Sequence, residues 1–249
     1  NFTSNSTLTG TGVFTTQGTS TVNLAAAGDS VFLTGGRTWV NEGTLTVGGD
    51  DFIHFGYTSG GSNLLTNAVG GTLNLSSAHA TPLQFYTGTA NVNNAGTLNQ
   101  TATGTHAIAA SVNFHNTGVV NVNAGTLHVQ GSGNDTGLYA VAGGTMLNFS
   151  GAARNLDAGT AFSGPGTVQV SGGNTSVNAP VSIAAPSPAI TPQPSRPAAA
   201  GEAAGFTGVH WPPATRVFSA NAPMPSAGAR AVPSSRVIFW VALWVEKQY

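Results

Sequence analysis

The chain has 249 residues, enough for one sizeable domain or two small ones. Only 6% of them are charged, against roughly 25% in an average soluble protein, and Cys is absent, so thiol catalysis and Cys-bearing metal sites are excluded. The net charge is −1 and the basic residues are scattered, which leaves no phosphate footprint, so no nucleic-acid partner is expected.

Solubility must come from neutral hydroxyls and amides. With 34 Gly and abundant Thr, Asn and Ser, the composition is poor for surface helices and suits strands joined by tight turns. A short segment recurs along the chain. Gly43-Thr44-Leu45-Thr46-Val47 is followed by Gly71-Thr72-Leu73-Asn74-Leu75, Gly96-Thr97-Leu98-Asn99-Gln100 and Gly118-Val119-Val120-Asn121-Val122. Gly125-Thr126-Leu127-His128-Val129, Gly144-Thr145-Met146-Leu147-Asn148-Phe149 and Gly166-Thr167-Val168-Gln169-Val170 complete the series. From Gly43 the spacings are 28, 25, 22, 7, 19 and 22 residues. Apart from the 7, the period is that of one solenoid turn.

Each unit alternates polar and apolar residues, so Leu73 and Leu75 face one way and Thr72 and Asn74 the other. Units of one sense at constant pitch stack as parallel strands and bury the dry face inside a tube. The leading Gly is expected at a corner, where it can take φ > 0. The 7-residue step predicts two strands of one turn joined at Asn123-Ala124-Gly125. Asn41, Asn94, Asn116 and Asn123 precede repeat glycines and are expected to stack in a hydrogen-bonded ladder. Gln100 occupies an apolar position, so either the strand ends at Leu98 or Gln100 bonds a corner backbone group. An antiparallel sandwich would show Asn-Gly or Asp-Gly hairpins, and the chain has neither dipeptide.

The composition changes near residue 183. Up to there two basic and six acidic residues give −4, and the remainder is +3. Eleven of the thirteen prolines lie at or after Pro180. Residues 1–183 are therefore read as the solenoid, about eight turns and on the order of 40 Å long. Residues 184–249 are read as a Pro/Ala-rich tail, mostly disordered. Its closing apolar run, Val237–Val245, is too short to span a membrane, which takes roughly 20 residues. The chain starts at Asn1, and the tail differs sharply in residue usage. A mature piece or fragment is expected, with a shifted reading frame as one source of the tail.

"NTGVVNVNAGTLHVQGSG" and "SGPGTVQVSGG" resemble the repeat region of bacterial autotransporter passengers and filamentous-haemagglutinin-type adhesins. The resemblance is good over 93–183, looser over 1–92 and absent afterwards. It implies a right-handed parallel β-helix exported across a Gram-negative outer membrane and displayed or shed outside. On that reading the chain is non-enzymatic: a rigid stalk or binding surface of an exported adhesin. Its partners would be host or matrix glycans and proteins, with end-to-end self-association through open coil ends.

The alternatives are a β-helical polysaccharide lyase or hydrolase, and a structural fragment with no binding of its own. The enzyme would need paired carboxylates. Asp50-Asp51 is the adjacent pair and reads as a polar turn, while Arg37 and Arg154 are the basic side chains at hand. Gly131–Tyr139, "GSGNDTGLY", imitates one calcium nonapeptide without stacked copies and also reads as a turn. His54, His79, His106, His115, His128 and His210 lack zinc-protease spacing and are expected to be solvated. No catalytic residue, metal or cofactor is expected. Trp39, Tyr57 and Tyr86 are the aromatics that, if exposed, can stack on a sugar.

Overall fold

Alternating side chains and glycine-led corners leave the backbone one economical course, which is to coil. The computed structural model describes residues 1–183 and 189–192. Within them every regular element is a strand, and every strand pairing is parallel. Twenty-five strands form three sheets of nine, eight and eight. Successive strands visit the sheets in strict rotation, so three strands close one circuit and the chain coils through about eight turns. This is a parallel β-solenoid.

The first face runs from Ser6–Leu8 to Ala189–Pro192, the second from Val13–Thr16 to Thr175–Val177, and the third from Thr19–Val22 to Ser182–Ile183. On the third face Leu45, Leu73, Leu98 and Val120 stack as Cα partners from consecutive turns. The Gly-Thr-Leu series then changes face. Thr126–Val129, Met146–Ser150 and Thr167–Gly172 stack on the first face, which accounts for the lone 7-residue spacing. Leu73, Leu127 and Val168 all point into one continuous apolar core.

One expectation about the corners needs correction, and one open alternative is resolved. Gly125 (φ +57°) and Gly144 (φ +77°) do use the left-handed region. Gly43, Gly71, Gly96, Gly118 and Gly166 do not; they are required by proximity. A Cβ on Gly96 would collide with the Gly71 and Ala68 carbonyls, and one on Gly118 with the Gly96 carbonyl. Stacked corners approach too closely for any side chain. Gln100 resolves as the second alternative: it is buried in the strand Thr97–Gln100 and donates to the Ala102 carbonyl at 3.0 Å.

The amide ladder holds Asn41, Asn94 and Asn116 as expected, with Asn67 in place of Asn123. Asn41 donates to Asn67 (2.8 Å), Asn67 to Asn94 (2.8 Å) and Asn94 to Asn116 (2.9 Å), all buried. The same amides donate to the Thr72, Thr97, Val119 and Leu138 carbonyls that open third-face strands. The ladder thus ties the corner between two faces. Asn123 is exposed and stands outside it.

The strand Ala189–Pro192 pairs with Thr167–Gly172, so the first face continues past residue 183. The rest of the Pro/Ala-rich tail, with the Val237–Val245 run and His210, lies outside the described residues. Among the described residues no helix is long and apolar enough to cross a membrane.

Candidate functional site

The wet surface carries two kinds of order. The first is a set of neutral ladders. On the third face Asn121 donates to Asn99, Asn99 to Asn74, and Asn74 to Thr46, at 2.8, 2.9 and 3.3 Å. On the second face Asn113 donates to Asn91 (3.1 Å) and accepts from Ser132 (2.6 Å).

The second is an aromatic cluster on the first face. Strands Ser30–Leu33 and Phe52–Phe55 send Val31, Leu33, Ile53 and Phe55 inward, and alternation turns Phe32 and His54 outward. Phe32 and His54 are Cα partners, and Gln84 follows His54 in the same outer row. Tyr57 and Tyr86 leave the strand ends one turn apart. The Tyr57 N–H donates to the Thr34 hydroxyl (3.3 Å) and the Tyr86 N–H to the Phe55 carbonyl (2.9 Å). Gly56 (φ +76°) makes the corner that delivers Tyr57; a Cβ there would strike the Thr87 carbonyl.

Four rings form a closed circuit. Phe32 stacks on Tyr57 at 4.2 Å and on His54 at 5.5 Å, while Tyr86 stands 5.5 Å from His54 and 6.3 Å from Tyr57. Phe52 extends the group, 5.4 Å from His54 and stacked on His79 at 4.3 Å. Tyr57 is 42% and Tyr86 62% exposed, so the circuit opens to water on that side. Burial lowers the His54 pKa and outweighs the Phe85 carbonyl, which favours the charged ring, so the site favours the neutral imidazole of His54. Two polar atoms of the outer row, His54 Nε2 and Gln84 Oε1, are buried without a hydrogen-bond partner.

The other candidate residues are deployed differently. Trp39 is fully buried beside Phe2 and Phe14, so it is a core residue and not a surface ring. Asp51 is buried, its carboxylate accepting from the Leu24 N–H, while Asp50 sits half-buried in the adjoining turn. Arg37 reaches the Thr9 carbonyl. His128 lies on the wet face as expected and bonds the Ser150 hydroxyl at 3.0 Å. His106 does not: it is buried, its ring nitrogens 2.9 and 2.8 Å from the His79 and Thr103 carbonyls, and its Cα partner is Leu127.

The segment Gly131–Tyr139 is not a polar turn. Gly133–Asp135 is a strand, and Asp135 points into the core. There it accepts from Arg154 Nε and Nη2 (2.7 Å each) and from the Tyr139 hydroxyl (2.8 Å). Gly133 leaves the space that Arg154 fills, and the guanidinium lies 5.7 Å from the Phe114 ring and 5.2 Å from that of Phe149. Burial alone would lower the Arg154 pKa; Tyr139 and Asp135 outweigh it and hold the pKa above its ordinary value.

Sequence reasoning found Tyr57 and Tyr86 but missed their partners Phe32, Phe52, His54 and His79. The available signal was spacing: Phe32 and His54 lie one turn apart on the outward phase of their strands.

Fold and surface of the described residues together define a class: a parallel β-solenoid with an amide-laddered exterior and an exposed aromatic cluster. No family model matches the chain, and no curated protein or solved structure matches it either.

Proposed function

We propose that this chain is a non-enzymatic passenger fragment of an exported bacterial surface protein, a stalk whose outer faces form a binding surface. The observation that carries the reading is the aromatic cluster itself. Rings that would be buried to best effect in the core stand instead on the wet face, with Tyr57 and Tyr86 turned to solvent. The repeat pattern that resembles autotransporter passengers supports the export route, and the absence of Cys is compatible with crossing a membrane unfolded. Asp51, committed to the Leu24 backbone, is better suited to holding a corner than to attacking a polysaccharide.

The test is direct. The purified full chain is applied to an array of host glycans and matrix proteins, and bacteria producing the intact gene product are probed with antibody against residues 1–183. Binding to array members together with surface labelling supports the reading. Labelling confined to permeabilised cells, or turnover of a polysaccharide that Asp50→Ala/Asp51→Ala abolishes, overturns it.

A further inference from the structure

We infer that the Phe32–His54–Tyr57–Tyr86 circuit is a saccharide-binding site, taking a neutral oligosaccharide that stacks on the two tyrosines and hydrogen-bonds His54 and Gln84. The inference deepens the adhesive reading above and rests on it for the source of the ligand. Three observations carry it.

The first is the pair of orphaned polar atoms. A buried polar atom without a partner costs about 1–3 kcal/mol, and native proteins keep few of them. Here two sit in one outer row on neighbouring strands, His54 Nε2 in the aromatic cluster and Gln84 Oε1 on the Cα partner of His54. A ligand that brings hydroxyls satisfies both, since a hydroxyl donates to Gln84 Oε1 and either donates to or accepts from a neutral imidazole. The Tyr86 ring stands perpendicular to the imidazole at 5.5 Å and is 62% exposed. Exposed side chains change rotamer on the picosecond to nanosecond scale, so rotation of Tyr86 can open the row to a ligand without moving the backbone.

The second is the shape and charge of the surface. The negative face of an aromatic ring attracts the weakly positive C–H face of a sugar. Phe32 stacks on Tyr57 and supports it from within. The circuit contains no formally charged group, so a sulfated or sialylated chain gains nothing over a neutral one.

The third is size. A ring buries about 150–250 Å² at most, so Tyr57 and Tyr86 together supply well under the roughly 800 Å² per partner of a standard protein interface. A few sugar units match that area, and a folded protein partner does not.

The experiment uses the full chain and linear oligomers of glucose and of N-acetylglucosamine, with heparin fragments as the charged control, read by titration calorimetry. At least one neutral oligomer is expected to bind with a dissociation constant in the micromolar to millimolar range, typical of weak stacking sites. Tyr57→Ala and Tyr86→Ala should each weaken it at least tenfold while leaving the circular dichroism unchanged. Gln84→Leu is the diagnostic variant: it should weaken binding at least fivefold and leave the midpoint of thermal unfolding equal or higher, because it removes an acceptor the free protein never satisfies. A residue with a merely structural role would lower both. The inference is overturned if no neutral oligomer binds, if both tyrosine variants bind as tightly as the parent, or if an apolar peptide or the heparin fragments occupy the cluster instead. Array adhesion that survives both tyrosine substitutions sinks this site and leaves the adhesive reading standing. Oligomer binding without surface display does the reverse.

Discussion

Arg154 shows how a chain with almost no charge uses the little it has. Its side chain is 1% exposed, beside the Phe114 and Phe149 rings, and its ion pair with Asp135 joins consecutive turns. The Tyr139 hydroxyl and the Asn116 N–H also donate to the carboxylate, and burial pushes the Tyr139 pKa well above its ordinary value. Such a pair contributes little net stability, yet breaking it strands a buried charge. Asp135→Ala should therefore cost about 3–5 kcal/mol in urea unfolding, whereas Asp135→Leu combined with Arg154→Met should recover most of that loss. If the single and double variants are equally unstable, packing and not charge accounts for the cost. The histidines make a second residue-scale prediction. Burial lowers the pKa of His54, His115 and His128 below the ordinary 6.5; beside His115, Arg154 adds to the lowering and Asp135 opposes it. As pH falls through 6.5 the unfolded chain binds protons before the folded one, so stability must fall on acidification and stay level above neutrality. The unfolding midpoint should drop between about pH 7.5 and about pH 5, and by less in a His54→Gln/His115→Gln/His128→Gln variant. A midpoint that rises on acidification contradicts this assignment.

At the scale of the element, the Asn ladder separates two asparagines that look alike in sequence. Asn67 holds Asn41, Asn94 and the Thr97 carbonyl together, whereas Asn123 faces water. Asn67→Leu orphans several buried groups at about 1–3 kcal/mol each, while Asn123→Ala should stay within about 0.5 kcal/mol; chemical denaturation of the two variants checks the contrast. The same pair shows what could be read in advance. Strand identity, parallel sense and the inward phase of Leu73, Leu127 and Val168 follow from alternation, which local composition reveals directly. Ladder membership does not, because it depends on register between residues more than twenty positions apart. Asn67 lies four residues ahead of its glycine and escapes a rule set at two. Asn123 obeys that rule but opens the corner to a different face. The aromatic cluster was half legible for the same reason: Tyr57 and Tyr86 stand out as isolated rings, but only the coil brings Phe32 and His54 beside them. Asp135 was hidden more thoroughly, since Gly-Asn-Asp is ordinary turn chemistry and only the space above Gly133 makes room for its partner.

At the scale of the solenoid, each turn touches the turn before and the turn after it. Strand pairings join consecutive turns on all three faces, and no sheet connection skips one. Stability is then a sum of turn and interface terms, and damage should stay near its origin. Leu73 is fully buried between its Cα partners Leu45 and Leu98. Leu73→Ala opens a cavity costing about 2–5 kcal/mol. Hydrogen exchange should then show lost protection in Thr72–Leu75 and in its neighbours Thr44–Val47 and Thr97–Gln100, while Met146–Ser150 keeps its protection. The reciprocal variant, Leu147→Ala, should expose Met146–Ser150, Thr126–Val129 and Thr167–Gly172 and spare Thr72–Leu75. The salt bridge gives a further handle on the same physics. Among the described residues the Arg154–Asp135 pair is the sole ion pair and lies where salt does not screen it, so neither exchange pattern should change between low salt and about 0.5 M NaCl. Uniform loss of protection along all three faces in either variant would mean that the turns unfold as one cooperative block, and the nearest-neighbour account of this coil would have to be given up.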